Sequence, residues 1–190
     1  MSDKIIVLVH VDDDGFEIEP VIFDLYDEEG NLKEISTNLV PSNQNRLFKP
    51  KWDFDKKEWI EGDLQYALNE QKKMTITRYN TECNQLIESG FEYNGDEFAF
   101  SLEKDQANFA QQMMVLITQP ATDSVQWMTE NNGVKEFTRD EFFAICQAGE
   151  AWKRSNIGSY WKLKEYISNV ADMNTLSSMG SFEDAIKLVQ

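Results

Sequence analysis

The sequence is poor in the residues that build disulfide frameworks and zinc sites. Its 190 residues include two cysteines and one histidine, together with nine glycines and four prolines. Cys83 and Cys146 each fall on the apolar side of a helical pattern, so we expect buried free thiols rather than a disulfide. A single histidine, His10, makes a poor zinc-binding set with two separated cysteines. The sequence therefore predicts neither a disulfide scaffold nor a metal centre.

Long apolar runs and an excess of basic charge are also missing. The longest apolar run near the N-terminus covers only residues 5–9, whereas a helix that crosses a bilayer needs about 20 residues. The sequence has no basic segment followed by a long apolar stretch, which is the pattern of a signal peptide. We therefore expect synthesis in a cytoplasm. The formal net charge is −16, from 34 acidic and 18 basic residues. Because this field repels phosphate groups, we expect neither nucleic acid nor a membrane as a partner.

Motifs of known enzyme chemistry are absent from the sequence. There is no phosphate-binding glycine loop, no Gly-x-Gly-x-x-Gly and no Gly-x-Ser-x-Gly. The segment "HVDDDG" fails the EF-hand calcium template, since His10 would take position 1 and Val21 position 12. Carboxylate pairs carry no information among 34 acidic residues, because such pairs can always be found. We therefore expect a protein that is not an enzyme and has no catalytic, cofactor-binding or metal-binding residues.

The N-terminal region of the sequence is rich in residues that favour β-strands. β-Branched and apolar residues at 4–9 and an alternating stretch at 16–27 predict strands on either side of the turn "DDDG". A second turn at 29–31 returns the chain towards residue 35 and completes a small antiparallel meander. Residues 36–46 are polar and contain Pro41, so they are predicted to be an irregular connection.

Residues 51–59, "KWDFDKKEW", predict a hairpin with aromatic partners across its strands. Trp52 and Phe54 alternate with charged residues, "DKKE" turns the chain, and Trp59 returns. Because an isolated hairpin is marginal in water, we expect its aromatic face to pack against a local core, the following helix or a partner chain. Trp52, Phe54 and Trp59 are therefore candidate interface residues, within a β-domain of residues 1–61 that is a candidate docking module.

From residue 62 onward the periodicity becomes helical and is interrupted by two short hairpins. Apolar residues between 64 and 87 predict either one long helix or two helices broken near Thr75, ended by Gly90. Asn94-Gly95 and Asn132-Gly133 predict tight hairpin turns. The fold class is therefore α+β, with an N-terminal β-meander followed by a mostly helical domain of residues 62–190.

The helix after the first hairpin carries the other candidate interface residues. Ser101 is predicted to cap its start and Pro120 to end it. Gln106 and Asn108 form an amide-rich helix start beside Met113-Met114, and methionine adapts to irregular contacts. We consider Gln106 and Asn108 as candidates for a partner-facing surface. The alternative is that they are solvated amides over a methionine-filled core.

The C-terminal part is predicted to contain two long helices and a short terminal piece. Thr138 and Glu141 have the spacing of a capping box that opens the first of them. Gly158 is predicted to mark a junction, across which Trp152 and Trp161 would face each other.

The order of segments in the C-terminal part resembles a known family. A helix that ends in Gly90-Phe91 is followed by an acidic-Gln-x-Asn motif at 105–108, a tryptophan-containing hairpin at 127–137 and a threonine-capped helix at 138–145. This order, over roughly residues 70–175, resembles a C-terminal domain of unknown function that is common in phage tail proteins. The resemblance assigns no catalytic residue.

Residues 49–62, "KPKWDFDKKEWIEG", carry a second resemblance. They are similar to a Lys-Pro-x-Trp-turn-Trp-x-Glu segment in small proteins encoded beside phage fibre and baseplate genes. Some of those proteins are virion components, and others are tail fibre assembly chaperones.

Together the resemblances imply a structural protein of a phage tail, associated with the baseplate or the fibre and located in the virion. Its partners would be other tail proteins, including the fibre or receptor-binding protein, or further copies of itself. An assembly chaperone is the alternative, and a tail-associated cell-wall hydrolase is a second one.

Overall fold

The structure is a computed structural model, and it describes residues 8–18, 38–43, 45–119, 121 and 123–189. The chain divides into two compact units, Met1–Gln71 and Lys72–Gln190. The predicted boundary after residue 61 lies before this division, and helix α1, Leu64–Glu88, spans it. Of the predicted meander, residues 4–7 and 19–37 lie outside the described residues. The α+β fold class is confirmed, with antiparallel strand pairs preceding a mostly helical region.

The described residues of the first unit form two antiparallel strand pairs. Strand β1, Leu8–His10, pairs with β2, Leu39–Pro41. The prediction that residues 36–46 are irregular is therefore wrong for β2. Val40 is buried opposite Val9 in the ladder, and this long-range pairing outweighs the local polarity. Pro41 is tolerated because it lies at the end of the strand.

The second strand pair of this unit is the predicted tryptophan hairpin. Strand β3, Pro50–Asp53, pairs with β4, Glu58–Glu61, with Trp52 directly opposite Trp59. Residue Lys57 adopts a positive φ of 55° in the turn. The predicted hairpin and its aromatic pairing are confirmed.

The second unit begins within the unbroken helix α1, which is followed by the first Asn-Gly hairpin. Helix α1 continues through Thr75, which is buried, so the one-helix alternative is the observed one. Strands β5, Phe91–Tyr93, and β6, Asp96–Phe98, follow it. Asn94 and Gly95 have φ values of 52° and 81°, which is the geometry that the Asn-Gly pair favours.

The second hairpin consists of β7, Ser124–Thr129, and β8, Gly133–Thr138. Gly133 has a φ of 71° and pairs with Thr129. The connection therefore spans residues 130–132, and Gly133 provides the left-handed residue that closes it.

Helix α2, Asp105–Thr118, lies between the hairpins and begins later than predicted. The N-cap position falls on Lys104, whose side chain makes no cap hydrogen bond, so the predicted cap position is wrong. The Ser101 hydroxyl nevertheless accepts the backbone amide of Asp105 at 3.3 Å and donates a hydrogen bond of 2.6 Å to Oδ2 of Asp105. The Ser101 carbonyl also accepts the backbone amides of Asp105 and Gln106, each at 3.1 Å. Ser101 thus fixes the helix start from one turn further out.

Helix α3, Arg139–Asn169, is one continuous helix. Its predicted capping box is confirmed, with both the Thr138 and the Glu141 side chains bonded to the opposite backbone. The predicted junction at Gly158 is wrong, because the helix passes through it. Trp152 and Trp161 are nine positions apart, which at about 100° per residue places them on opposite sides of the helix. Trp161 is accordingly exposed.

The chain ends in short helices, α4, Met173–Ser178, and α5, Phe182–Ala185, followed by a 3-10 turn, Ile186–Leu188. The core of the second unit contains an aromatic cluster formed by rings from both of its hairpins, from the segment before α2, and from helices α2 and α3: Phe91, Phe98, Phe100, Phe109, Trp127, Phe137 and Phe142. Among the described residues, no helix combines the length and the hydropathy that a bilayer crossing requires.

Candidate functional site

A groove between α2 and α3 is a concave surface of the second unit with a mostly apolar lining. Its volume is about 370 Å³, within the range of sites that take side chains or small ligands. We call it the α2–α3 groove and define it by its apolar lining, to which α3 contributes the cysteine: Phe100, Phe109, Ala110, Met113, Met114, Ile117 and Cys146. Three polar residues complete it: Gln106, Glu150 and Lys153.

Helical spacing on α2 creates the apolar rim of the groove. Phe109 and Leu116 face inward and are buried. Ala110, Met114 and Ile117 follow the i, i+4, i+7 pattern on another face, where Met114 is 60% exposed and Ile117 57% exposed. Because these large apolar side chains are so exposed, one face of α2 is left uncovered by the described part of the second unit.

One end of the groove is polar and held in place by hydrogen bonds. The Gln106 amide donates to the Phe100 carbonyl at 3.0 Å, and its Oε1 accepts from Nζ of Lys153 at 2.7 Å. Gln106 thus joins the start of α2 to the middle of α3. Within the described part of the chain, neither Lys153 nor Glu150 lies within ion-pair distance of an oppositely charged side chain.

Cys146 lines the groove with an unreactive thiol. Burial raises the pKa of its thiol to about 11, so the thiol is neutral at pH 7 and acts as a small apolar side chain. Burial also raises the pKa of Cys83. Both cysteines are free and buried, which confirms the prediction of two buried thiols.

The candidate interface residues on α2 occupy different places. Gln106 is half-buried and lines the groove. Asn108 is half-buried in the first turn of α2 and is not part of the lining of this groove. A partner contact by either residue stays a prediction.

The tryptophans of the first unit form its core. The Trp52 and Trp59 rings meet edge to face with their centroids 5.7 Å apart, and they pack with the buried Val11 and Val40. The Trp59 indole also donates a hydrogen bond of 2.7 Å to the carbonyl of Pro41. The hairpin therefore packs against a local core, which was one of the three alternatives.

Phe54 is the exposed aromatic residue of this hairpin, with 42% of its surface accessible. The interface role of Trp52, Phe54 and Trp59 stays a prediction. Of these three residues, Phe54 alone is exposed, and it lies in the turn between β3 and β4.

The aspartates at 12–14 lie in a turn that the Asp12 side chain stabilises. The Asp12 carboxylate accepts the backbone amides of Asp14 and Phe16 at 3.0 and 2.9 Å. Gly15 has a φ of 90°, and its carbonyl accepts the Trp52 amide at 2.7 Å. A Cβ at Gly15 would overlap the Trp52 carbonyl, so the turn requires glycine. Within the described ranges, no group of three His, Cys, Asp or Glu side chains is placed to hold a metal ion.

The groove itself was not predicted from the sequence, and Ala110, Glu150 and Lys153 were not among the candidate residues. The available signal was the width of the apolar pattern on α2, whose residues cover more of the helix circumference than a single buried face requires.

Two family models match the chain and together cover most of it. Residues 70–185 match the domain of unknown function DUF4376, and residues 5–69 match the YomQ N-terminal domain of phages. No curated protein and no solved structure matches the chain. The first match covers more than half of the chain and confirms the predicted resemblance to a domain of unknown function in this region. The chain therefore belongs to the DUF4376 family and is a phage-associated protein.

Proposed function

We propose that this protein is a non-enzymatic structural subunit of a phage tail, associated with the baseplate or the fibre, which acts through protein–protein contacts at the α2–α3 groove. The observation that carries the proposal is the uncovered apolar face of α2 beside a preformed cavity. Apolar patches next to polar rims are typical of protein contact sites. The phage-derived family matches supply the biological setting.

Burial of this face would supply binding free energy without any rearrangement of the fold. Covering a large aliphatic side chain contributes about 1.5–3 kcal/mol, and Met114 and Ile117 are both more than half exposed. Two methionines in the lining allow the surface to adapt to an irregular partner. These features support contact, whereas the neutral Cys146 thiol offers no nucleophile at pH 7.

Purified virions provide the test. A phage lacking the gene is complemented with wild-type protein, with Met114→Asp or with Met128→Asp, and the particles are analysed by quantitative mass spectrometry and gold-labelled antibodies. Met128 is the matched control, because it is 58% exposed on β7 and does not line the groove.

We expect wild type and Met128→Asp in the tail and Met114→Asp at a level at least tenfold lower. Absence of the wild-type protein from mature particles would overturn the structural role. Equal incorporation of both variants would show that the groove is not the contact site.

A second role, that of a tail fibre assembly chaperone, is favoured by the methionine-lined groove, since such surfaces accept more than one partner conformation. Co-expression with the fibre protein distinguishes the two roles. A chaperone raises the yield of soluble fibre and is missing from finished particles, whereas a subunit is retained. Clearing of bacterial cell walls in a zymogram would instead support a hydrolase.

A further inference from the structure

We propose that the α2–α3 groove is a self-association surface, at which two copies of this chain pair about a two-fold axis. This inference rests on the proposed function, because it takes the groove to be a protein contact site. The occupant that it assigns is a second copy. Each copy would place the apolar face of its α2 against the groove of the other.

The apolar part of the surface is suited to such pairing. In a two-fold interface the same patch serves both partners, so a projecting part and a recess must lie side by side in one copy. The exposed Met114 and Ile117 form the projecting part, and the cavity of about 370 Å³ floored by Phe109 forms the recess. Pairing would remove both exposed side chains from water.

The charged residues of the groove supply the argument for a second copy. Glu150 and Lys153 are oppositely charged, lie one turn apart on α3 and both line the groove. Neither has an ion-pair partner among the residues that the structure describes. Within the described ranges, Lys153 donates its hydrogen bond to the neutral oxygen of Gln106.

If a two-fold axis passes between Glu150 and Lys153, the charges of one copy lie opposite charges of the other sign on the second copy. The α3 helices of the two copies would then cross in opposite directions. Glu150 of one copy would face Lys153 of the other, and the same pair would form a second time. A partner of different sequence would have to supply this pattern, whereas a second copy contains it.

The net charge of −16 per chain causes a repulsion between two copies that opposes the association. The range of this repulsion is limited, because at physiological ionic strength charges are screened beyond about 8 Å. The reciprocal pairs act within that range and fix the register. We therefore expect dimerisation to be weak in low salt and stronger when moderate salt screens the long-range repulsion.

The first test measures the mass of the full-length protein in solution. Sedimentation velocity over a hundredfold concentration range is expected to show a monomer–dimer equilibrium for wild type and for Met128→Asp. Met114→Asp is expected to weaken dimerisation at least tenfold while keeping the wild-type circular dichroism spectrum and melting temperature. A wild-type protein that remains monomeric at every concentration and salt condition would overturn the proposal.

The second test uses charge reversal and distinguishes a reciprocal pair from a general loss of structure. Lys153→Glu places acids opposite each other, and Glu150→Lys places bases opposite each other, so each variant alone is expected to dimerise at least tenfold less tightly. An equal mixture of the two restores both ion pairs. We expect heterodimers in that mixture by fluorescence energy transfer, and homodimers again in the double variant Glu150→Lys/Lys153→Glu.

Failure of the mixture and of the double variant to recover dimerisation would overturn the reciprocal pairing. The outcome is also separable from the proposed function. A monomeric wild-type protein that is still found in virions contradicts the dimer alone. A dimer that is absent from virions contradicts the structural role alone.

Discussion

Gly149, in the middle of α3, offers a quantitative test of the packing around the groove. A Cβ at this position would lie 2.8 Å from Cε1 of the Phe91 ring and 3.1 Å from Cε2 of Phe100. These rings are held in the aromatic cluster, where Phe91 stacks on Phe98 with a centroid distance of 5.3 Å. The Phe91 ring therefore has little room to move away, and Gly149→Ala is expected to force the cluster to shift.

Two effects of known size compete in this substitution. Replacing glycine by alanine in a helix interior stabilises by about 1 kcal/mol. Overpacking a well-packed core costs about 1–3 kcal/mol. The net result for Gly149→Ala is expected to lie between no change and a loss of about 2 kcal/mol.

Gly158 in the same helix is the matched control. Nothing lies within 4 Å of a Cβ built there, so Gly158→Ala is expected to gain the full helix term of about 1 kcal/mol. The two variants should differ by about 1–3 kcal/mol, which corresponds to at least a few degrees in melting temperature. Urea denaturation followed by circular dichroism measures the difference. Equal stabilisation by both substitutions would refute the close packing at Gly149.

Three further substitutions test other contacts of the fold. Trp59→Ala removes the edge-to-face ring contact and an indole hydrogen bond, and we expect urea denaturation to show a loss of about 3–5 kcal/mol. Thr138→Ala removes the α3 cap and should cost about 1 kcal/mol in thermal melts, whereas Thr138→Ser should cost little. Hydrogen bonds from Lys135 lower the pKa of the Asp96 carboxyl group in the folded protein. The ionised carboxylate therefore contributes its full stabilisation at pH values above the ordinary carboxyl pKa of about 3.9. This contribution is lost as the pH falls below that value. Asp96→Asn should therefore flatten the acid side of a plot of stability against pH, and an unchanged slope would contradict the ion pair.

The features that the sequence predicted correctly are those decided by near neighbours. The Asn94-Gly95 turn follows from the backbone freedom of two residues. The Thr138–Glu141 box follows from two side chains three positions apart that satisfy each other's backbone. The Trp52–Trp59 pairing needed only a short turn between alternating residues. In each case the determining contact lies within one short segment, so the local sequence contains the information.

The features that were missed depend on distant parts of the chain. Strand β2 forms because Val40 pairs with Val9 and is buried with the tryptophans, which outweighs the disfavouring effect of Pro41. Helix α3 continues through Gly158 because the turns on either side pack against the core through buried residues such as Asn156 and Leu163. Glycine alone costs about 1 kcal/mol, which is too little to break a helix that is held on both sides.

The charged pair in the groove shows why part of the site was not predictable from the sequence. Glu150 and Lys153 have the i, i+3 spacing of an ordinary ion pair on a helix surface, and from the sequence alone they would be assigned to each other. In the structure Lys153 turns instead to Gln106, on a different helix and 47 positions away. That long-range hydrogen bond leaves the Glu150 carboxylate beside the apolar rim without a counter-charge from the described chain. The charge pattern of this surface, on which the proposed pairing of two copies depends, therefore arises only when α2 is placed against α3.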